Sequence, residues 1–397
     1  MDFEYTPEQE AFRKEFKTWL EKHLPPELCL DDAADDRVPS DRETYEKRRA
    51  WQKTMYAAGW VGISWPKEYG GRGATLMERV IWEEEYAAAR APVLPAAMGL
   101  NLVGPTIIAW GTDEQKTRYL PKILSGDMTW AQGFSEPNAG SDLANLQTRA
   151  VDMGDHWLVN GQKVWTSGAQ FHDWILLLVR TNPDAPKHKG ISALLVDLKH
   201  TPGVTVRPLV LATGHAHFNE MFFTDVKVPK ENLLGPLNEG WKVTTTTLMH
   251  ERFSAGNRNN VAQIDRLIAL TKEIEHDGRR AADDPLIRQK LAQLLIDCEA
   301  FKYTRLRGLT RQLRGEPPGP EGSILKLTSS ELGVRIGEFA GELLGMQALV
   351  NEPSAEVPDA PRWFNRIVAA RQYTISAGTS EIQRNIIGER VLGLPKG

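Results

Sequence analysis

The sequence predicts an α+β multidomain fold with an N-terminal helical domain, a middle β-barrel-like domain and a C-terminal four-helix bundle. The prediction depends on two changes of pattern along the chain. Apolar residues recur at helical spacing in the first part, strand-like runs alternate with turn residues in the middle, and helical spacing returns after Gly240. We therefore expect domains at residues 1–127, 128–237 and 238–397.

The first helix is marked at both ends. The segment Thr6–Gln9 is a capping box with proline at the first helical position. Phe12, Phe16 and Leu20 follow at a spacing of four, which places them on one face of a helix. The Pro25-Pro26 pair ends this helix, because proline cannot continue the backbone hydrogen bonds.

A second helical stretch is predicted from Asp41 to Ala58, after an acidic and polar loop at residues 27–39. The segment Ser40–Glu43 is read as its capping box. Further helices are predicted at Leu76–Ala89 and Asp113–Ser125.

The middle region contains a strong hairpin signal. Asn160-Gly161 separates the strand-like runs Trp157–Val159 and Gln162–Trp165, and this dipeptide favours two-residue hairpin turns. The remaining predicted strands are Trp174–Val179, Ile191–Val196, Val204–Val206 and Met221–Val228.

The last region contains one clear amphipathic helix. Its apolar stripe predicts a helix that packs in a bundle, and it consists of Ile287, Leu291, Leu294, Cys298 and Phe301. The Pro- and Gly-rich residues 314–321 predict a loop.

Composition narrows the function classes. A net charge of −4 gives no electrostatic argument for nucleic acid or membrane as a partner. The two cysteines, Cys29 and Cys298, have no metal-ligand spacing, so neither a metal site nor a disulfide framework is expected. The N-terminus has no secretory signal, and no apolar run approaches the ~20 residues of a membrane span. We expect a cytoplasmic protein.

The segment from Gly133 to Asp142 is a polar turn that contains glycine. Small residues allow a backbone to approach a ligand closely, and successive N–H groups and hydroxyls can hold a pyrophosphate or a flavin carbonyl. A plain surface loop is the alternative. The glycine-rich motifs of nicotinamide and P-loop nucleotide sites are absent from the sequence.

Six stretches, spread over essentially the whole chain, resemble the acyl-CoA dehydrogenase family in order and spacing. They are Trp65–Gly73 (W-P-x-x-x-G-G-x-G), Ser135–Asp142 (S-E-P-x-A-G-S-D), Asn160–Ser167 (N-G-x-K-x-W-T-S), Asp225–Gly240, Glu251-Arg252 and Ala377–Arg384 (x-G-T-x-E-I-Q-R).

The resemblance implies that FAD binds non-covalently between the β domain and the C-terminal helices. Trp165 as a packed aromatic, and Ser135 and Ser167 as capping hydroxyls, are the alternatives. The matching positions are Phe134 and Ser135 at the flavin pyrimidine, Gly140 and Ser141 near the pyrophosphate and the pantetheine, Trp165, Thr166 and Ser167 around the isoalloxazine, and Thr379 and Glu381 at the adenosine.

The implied reaction needs a carboxylate to remove the α-proton of the thioester. Many family members have a glutamate directly before the C-terminal Gly-Thr, where this chain has Ala377. Another branch, including isovaleryl and long-chain dehydrogenases, has its glutamate before an arginine on the pocket helix, and Glu251-Arg252 matches it. Glu251 is the predicted base, and the backbone N–H of Ala377 is a predicted oxyanion donor. Arg252 is predicted to contact the pantetheine or to orient the pocket. Ion pairs within a helix are the alternative for both charged residues.

Two elements that contact FAD across subunits in the family are altered here. The Arg-x-x-Phe-Gly motif is missing at residues 276–282, where Arg279 or Arg280 is a candidate replacement. The Gln-x-x-Gly-Gly-x-Gly motif is reduced to Glu342–Ala348. Some members, including those acting on steroid side chains, are heterotetramers of unlike chains with fewer FAD sites. We expect a homotetramer or dimer, or such a heterotetramer.

The resemblance implies an acyl-CoA substrate and an electron-transferring flavoprotein as electron acceptor. Two alternatives stay open: an oxidase or monooxygenase on the same fold, and a non-catalytic subunit that binds acyl-CoA. A base on the pocket helix leaves room for branched, cyclic or bulky acyl groups. Residues 215–220 (H-A-H-F-N-E) are similar to the corresponding stretch of steroid-type members, and exposed loop residues are the alternative for both histidines.

Overall fold

The computed structural model describes residues 5–30, 39, 41–255, 261–276, 278–316, 319–352 and 360–396, with the side chains of 251–255, 261 and 262 outside that description. The chain divides into two units, Met1–His250 and Glu251–Gly397. The first contains helices followed by a mixed sheet, and the second is mainly helical. This order confirms the predicted fold class.

The first unit begins with helices whose ends follow the predicted capping signals. The Thr6 capping box forms as predicted, and Phe12, Phe16 and Leu20 are buried in the core of this unit. The helices are α1 (Pro7–His23), α2 (Arg42–Ala57), α3 (Leu76–Ala88), α4 (Gly104–Trp110) and α5 (Asp113–Ser125).

Two details of this helical part were not predicted. Helix α2 is capped by Asp41, whose carboxylate accepts from the Thr44 backbone N–H at 2.7 Å and the Thr44 hydroxyl at 2.9 Å. The capping box assigned to Ser40 is therefore wrong, and Ser40 itself lies outside the described residues. Helix α4 was missed because it starts at a glycine without a side-chain cap; the Trp65 indole lies where a Cβ at Gly104 would be.

The β region is one mixed sheet of eight strands. Its order is β6-β7-β3-β2-β4-β5-β8, and β1 pairs with β4 in parallel. The strands are β1 (Trp130–Gly133), β2 (Arg149–Asp152), β3 (His156–Ser167), β4 (Trp174–Arg180), β5 (Ile191–Asp197), β6 (Val204–Leu209), β7 (Phe218–Pro229) and β8 (Leu233–Leu234). The four strands predicted beyond the hairpin are confirmed.

The predicted hairpin at Asn160-Gly161 is wrong. Strand β3 continues through this dipeptide and pairs with β7, with register shifts at residues 159–161 and again at 163–166. The Asn160 side chain accepts from the Asp225 backbone N–H at 2.9 Å, so it bonds to the neighbouring strand instead of making a turn. Asn-Gly here marks a β-bulge.

Helix α6 (Gly240–Ala255) contains the boundary between the units, and the second unit continues with a four-helix core. Ile264, Leu294, Ile336 and Trp363 come from four different helices and are buried in one cluster. The predicted stripe on the long helix is confirmed, with Leu291 partly buried and its other members buried. The helices are α7 (Val261–Glu273), α8 (Pro285–Leu313), α9 (Gly322–Leu344), α10 (Ala360–Ile375) and α11 (Ser380–Ile386).

A small antiparallel pair, β9 (Glu275–His276) and β10 (Arg279–Arg280), precedes α8 and was not predicted. In the part of the chain that the structure describes, none of the helices is both long and apolar enough to cross a membrane.

Candidate active site

A buried lysine connects the polar turn after β1 to strand β3. The Lys163 side chain is fully buried, and its Nζ donates to Phe134 O at 3.0 Å and to Glu136 Oε1 at 2.8 Å. The Val164 N–H donates to Ser135 O at 3.0 Å. These three bonds bring the predicted residues Phe134 and Ser135 beside the strand that carries Trp165, Thr166 and Ser167.

The carboxylate of Glu136 receives further donors from the chain that follows the turn. The Gln147 N–H donates at 2.7 Å and the Thr148 N–H at 2.9 Å. Burial alone would raise the pKa of Glu136, but the Lys163 ammonium and these donors outweigh it and hold the pKa below its usual value. Burial lowers the pKa of Lys163 to about 8, against the opposing pull of Glu136. The ion pair thus favours the ionised form of the Glu136 carboxylate although it is buried.

Trp165 is an aromatic side chain turned outward at the second bulge of β3. Its φ is +62° and its side chain is 55% exposed, with the Phe218 ring edge-on at 5.8 Å. A bulky residue rarely adopts this left-handed conformation, and such strain is typical of ligand sites. The alternative of a packed core aromatic does not fit an indole this exposed.

The buried side of the same bulge is polar. Asn219 is fully buried and its Nδ2 donates to Thr166 O at 3.0 Å and also to Gln170 Oε1. Thr166 is fully buried as well, and its hydroxyl has no hydrogen-bond partner among the described residues. Asn219 therefore holds the backbone at the point where Trp165 leaves the sheet.

The surroundings of Trp165 fit a flavin. The half-buried hydroxyls of Ser135 and Ser167 make no hydrogen bond within the described chain, so both are available to polar atoms of a ligand. Gly140 and Ser141 are exposed, and a Cβ at Gly140 would meet nothing within 4 Å, so the turn presents open backbone. An exposed indole, free hydroxyls and open backbone suit a planar ring with hydrogen-bonding edges.

A second group of predicted residues lies in the second unit, at the turn between α10 and α11. Ala377 has a φ of +55° and Gly378 one of +88°. Thr379 caps α11, because its hydroxyl accepts from the Ile382 N–H at 3.2 Å. Glu381 is exposed, and a backbone hydrogen bond at the start of the helix, followed by the Thr379 hydroxyl, lowers its pKa.

The structure describes the predicted base and the three predicted arginines to different extents. Glu251 and Arg252 have a helical backbone in α6, and their side chains lie outside the described part of the structure. The Arg279 guanidinium donates to the Asp284 carboxylate at 2.6 Å, and Asp284 caps α8. Arg280 is exposed.

Sequence reasoning missed Lys163, Glu136 and Asn219 as site-building residues. Lys163 and Glu136 stand inside the quoted stretches but received no role. A lysine followed directly by Val164 and Trp165 in a strand-like run was the available signal, because an ammonium that such a strand buries needs a partner. Asn219 gave no comparable signal. Among the described residues, no group of three or more His, Cys, Asp or Glu side chains could hold a metal.

Comparison with known proteins gives the same picture along the whole chain. The acyl-CoA dehydrogenase N-terminal, middle and C-terminal domain models match residues 6–127, 131–226 and 238–392. The chain is 39% identical over 394 residues to acyl-CoA dehydrogenase IpdE1 of Mycobacterium tuberculosis, covering 98% of each protein.

Two solved structures resemble the whole chain. The Tcur3481-Tcur3483 steroid ACAD superimposes with a TM-score of 0.84 at 31% identity and complete coverage of both chains. The ChsE4-ChsE5 complex of Mycobacterium tuberculosis gives a TM-score of 0.80 at 34% identity, also with complete coverage. With all three domains matched in order, the chain belongs to the acyl-CoA dehydrogenase family and is an FAD-dependent oxidoreductase of acyl-CoA thioesters.

Proposed function

We propose that the protein converts an acyl-CoA to its trans-2-enoyl-CoA and passes the electrons to an electron-transferring flavoprotein. The observation that carries the proposal is the Trp165 bulge, where an exposed indole stands beside two free serine hydroxyls and a turn anchored by Lys163. This arrangement suits a redox cofactor with a planar ring. When bound, FAD supplies the acceptor for the hydride that leaves the β-carbon.

The remaining chemistry belongs to the chain. Glu251 takes the proton from the α-carbon, so one proton and one hydride leave the substrate as the double bond forms. The Ala377 N–H hydrogen-bonds the thioester carbonyl oxygen and stabilises the negative charge that develops there. Phe134 and Ser135 would face the flavin pyrimidine, and Trp165, Thr166 and Ser167 would flank the isoalloxazine. Gly140, Ser141, Arg252, Thr379 and Glu381 would contact the remaining parts of the two ligands.

Replacement of the base tests this mechanism. In Glu251→Gln the amide cannot accept the proton, so we expect bleaching of the flavin absorbance by substrate to slow by roughly 10²–10⁴-fold, with FAD still bound. The matched control is Glu239→Gln, a change of an exposed glutamate ion-paired with Lys242. Rapid bleaching by Glu251→Gln would remove Glu251 from the role.

For the substrate we propose a bulky, polycyclic acyl group. The support comes from the steroid ACAD among the structural neighbours and from the stretch at residues 215–220. A panel of acyl-CoAs, straight-chain against steroid side-chain thioesters, tests this by comparing kcat/KM. A clear preference for straight chains would contradict it.

A second candidate function is that of one subunit in a complex of unlike chains. It is favoured by the altered stretch Glu342–Ala348 and by the two-chain composition of both structural neighbours. Activity that appears only after co-purification with a related chain would support this candidate.

Rapid oxidation of the reduced enzyme by oxygen, without the flavoprotein acceptor, would instead favour an oxidase.

A further inference from the structure

The turn that carries Ala377 has an unusual backbone. Two consecutive residues, Ala377 and Gly378, are left-handed, with φ of +55° and +88°. Glycine adopts this conformation without cost, but a residue with a Cβ is held there against steric repulsion. Something in the second unit must therefore hold the turn.

A buried glutamine holds two carbonyl groups of the turn. The Gln383 side chain is fully buried, and its Nε2 donates to Ala377 O at 3.0 Å and Gly378 O at 3.1 Å. A Cβ at Gly378 would lie 2.6 Å from this Nε2, so glycine is required for the amide to pack against the turn. The carbonyl group of Ala377 is thus fixed in direction.

A buried lysine reinforces the same turn from another helix. Lys326 lies on α9, is 3% exposed, and donates from Nζ to Gly378 O at 2.6 Å. A hydrogen bond from a charged donor is stronger than a neutral one, and more so away from water. One carbonyl oxygen, that of Gly378, therefore receives both the ammonium and the amide.

We infer that Lys326 and Gln383 are positioning residues that aim the backbone N–H of Ala377 at the thioester carbonyl. This rests on the proposed function. Residue 377 has only a methyl side chain, so its contribution to the reaction is limited to the direction of its peptide. The held carbonyls fix the two peptides that follow Ala377 and so keep its φ at +55°. This φ sets the direction of the preceding peptide, which carries the Ala377 N–H, relative to the clamp.

Amide hydrogen exchange of the FAD-loaded protein without substrate tests the clamp directly. We expect Lys326→Met and Gln383→Leu to speed exchange in peptides covering residues 376–383 by tenfold or more. The matched control is Lys290→Met, which removes an exposed lysine paired with Glu342 on the neighbouring helix; its exchange should equal that of the wild type. Unchanged exchange in both site variants would overturn the clamp.

Kinetics test what the clamp is for. We expect both variants to lower kcat by tenfold or more with KM changed less than threefold, and Lys326→Arg to restore part of kcat because arginine also donates. A loss of thermal stability with kcat intact would show a purely structural role and refute the inference. If Lys326→Met does not fold, Gln383→Leu carries the same test.

The two proposals fail in different ways. A wild-type enzyme that oxidises no acyl-CoA overturns the proposed function and the catalytic role of the turn, whatever the exchange data show. An active wild type whose kcat is insensitive to both substitutions overturns only the positioning role.

Discussion

At the scale of the residue, Lys163 is a buried charge that joins the turn after β1 to strand β3. Its ammonium is inaccessible to water and bonds Phe134 O and the Glu136 carboxylate. Replacing such a pair by apolar residues is often tolerated, but removing one partner leaves the other charge buried and uncompensated. We therefore expect single substitutions at this pair to be far more harmful than the double one.

Lys163→Met should destabilise the protein without FAD by about 3–5 kcal/mol, because Glu136 loses its counter-ion. The measurement is urea unfolding followed by tryptophan fluorescence. Lys187→Met is the matched control, since it breaks an exposed pair with Asp142 on the same turn and should cost about 0–1 kcal/mol.

The double variant Lys163→Met/Glu136→Gln should recover part of the loss. Both Lys163→Met and the double variant should bind FAD more weakly than the wild type, because in both the turn lacks the hydrogen bond from Lys163 to Phe134 O. Equal costs for Lys163→Met and Lys187→Met would contradict the importance of the buried pair.

At the scale of the element, strand β3 contains two bulges with different surroundings. The first is at Asn160, on the surface, where the side chain bonds Asp225. The second is at residues 163–166, where buried Asn219 holds Thr166 O and Trp165 turns outward. Bulges re-aim side chains, and the second bulge is the one that presents the indole.

Asn219→Leu keeps the number and branching of the side-chain heavy atoms but removes the donor to Thr166 O. We expect a loss of about 1–3 kcal/mol in the protein without FAD, because a buried carbonyl loses its partner, and a weaker FAD affinity. Flavin fluorescence titration measures the affinity. Asn160→Ala at the surface bulge is the control and should leave FAD affinity unchanged; equal effects of the two substitutions would refute the assignment.

The sequence predicted those elements whose signals are local. Capping and helical spacing predicted α1, helical spacing predicted α5, and short strand-like apolar runs predicted β4 and β5. The bulge at Asn160-Gly161 is predicted as a hairpin because Asn-Gly suits both, and only the pairing of β3 with β7 decides between them. The sequence motifs were enough to select Phe134, Ser135 and Trp165 as candidate site residues. The buried partners Lys163 and Asn219 could not be predicted in this way, because a hydrogen bond between residues distant in sequence produces no periodic pattern.

At the scale of the whole molecule, the long helix α8 is apolar on two faces. Leu294 and Cys298 are buried in the bundle, whereas Ile296 and Tyr303, seven residues apart on the opposite face, are 60% and 52% exposed. A helix of a lone soluble domain normally has one apolar stripe. A second stripe indicates a surface for another chain.

Ile296→Asp should therefore reduce the oligomeric mass measured by light scattering, relative to a multiple of the 44.5 kDa chain. A charge in the centre of an apolar interface is costly, so a shift towards monomer is expected. Lys302→Glu on a different face of the same helix is the control. An unchanged mass for Ile296→Asp would exclude this face from the assembly.

The two lysines that donate to Phe134 O and Gly378 O have a common consequence for ligand capture. Each lysine orders its turn through hydrogen bonds within the protein, so neither turn needs a ligand to adopt its conformation. The conformational entropy of each turn is therefore lost when its unit folds and not when flavin binds. For this reason we expect reconstitution of the apoprotein with flavin to follow simple second-order kinetics, without a slow rearrangement after the encounter.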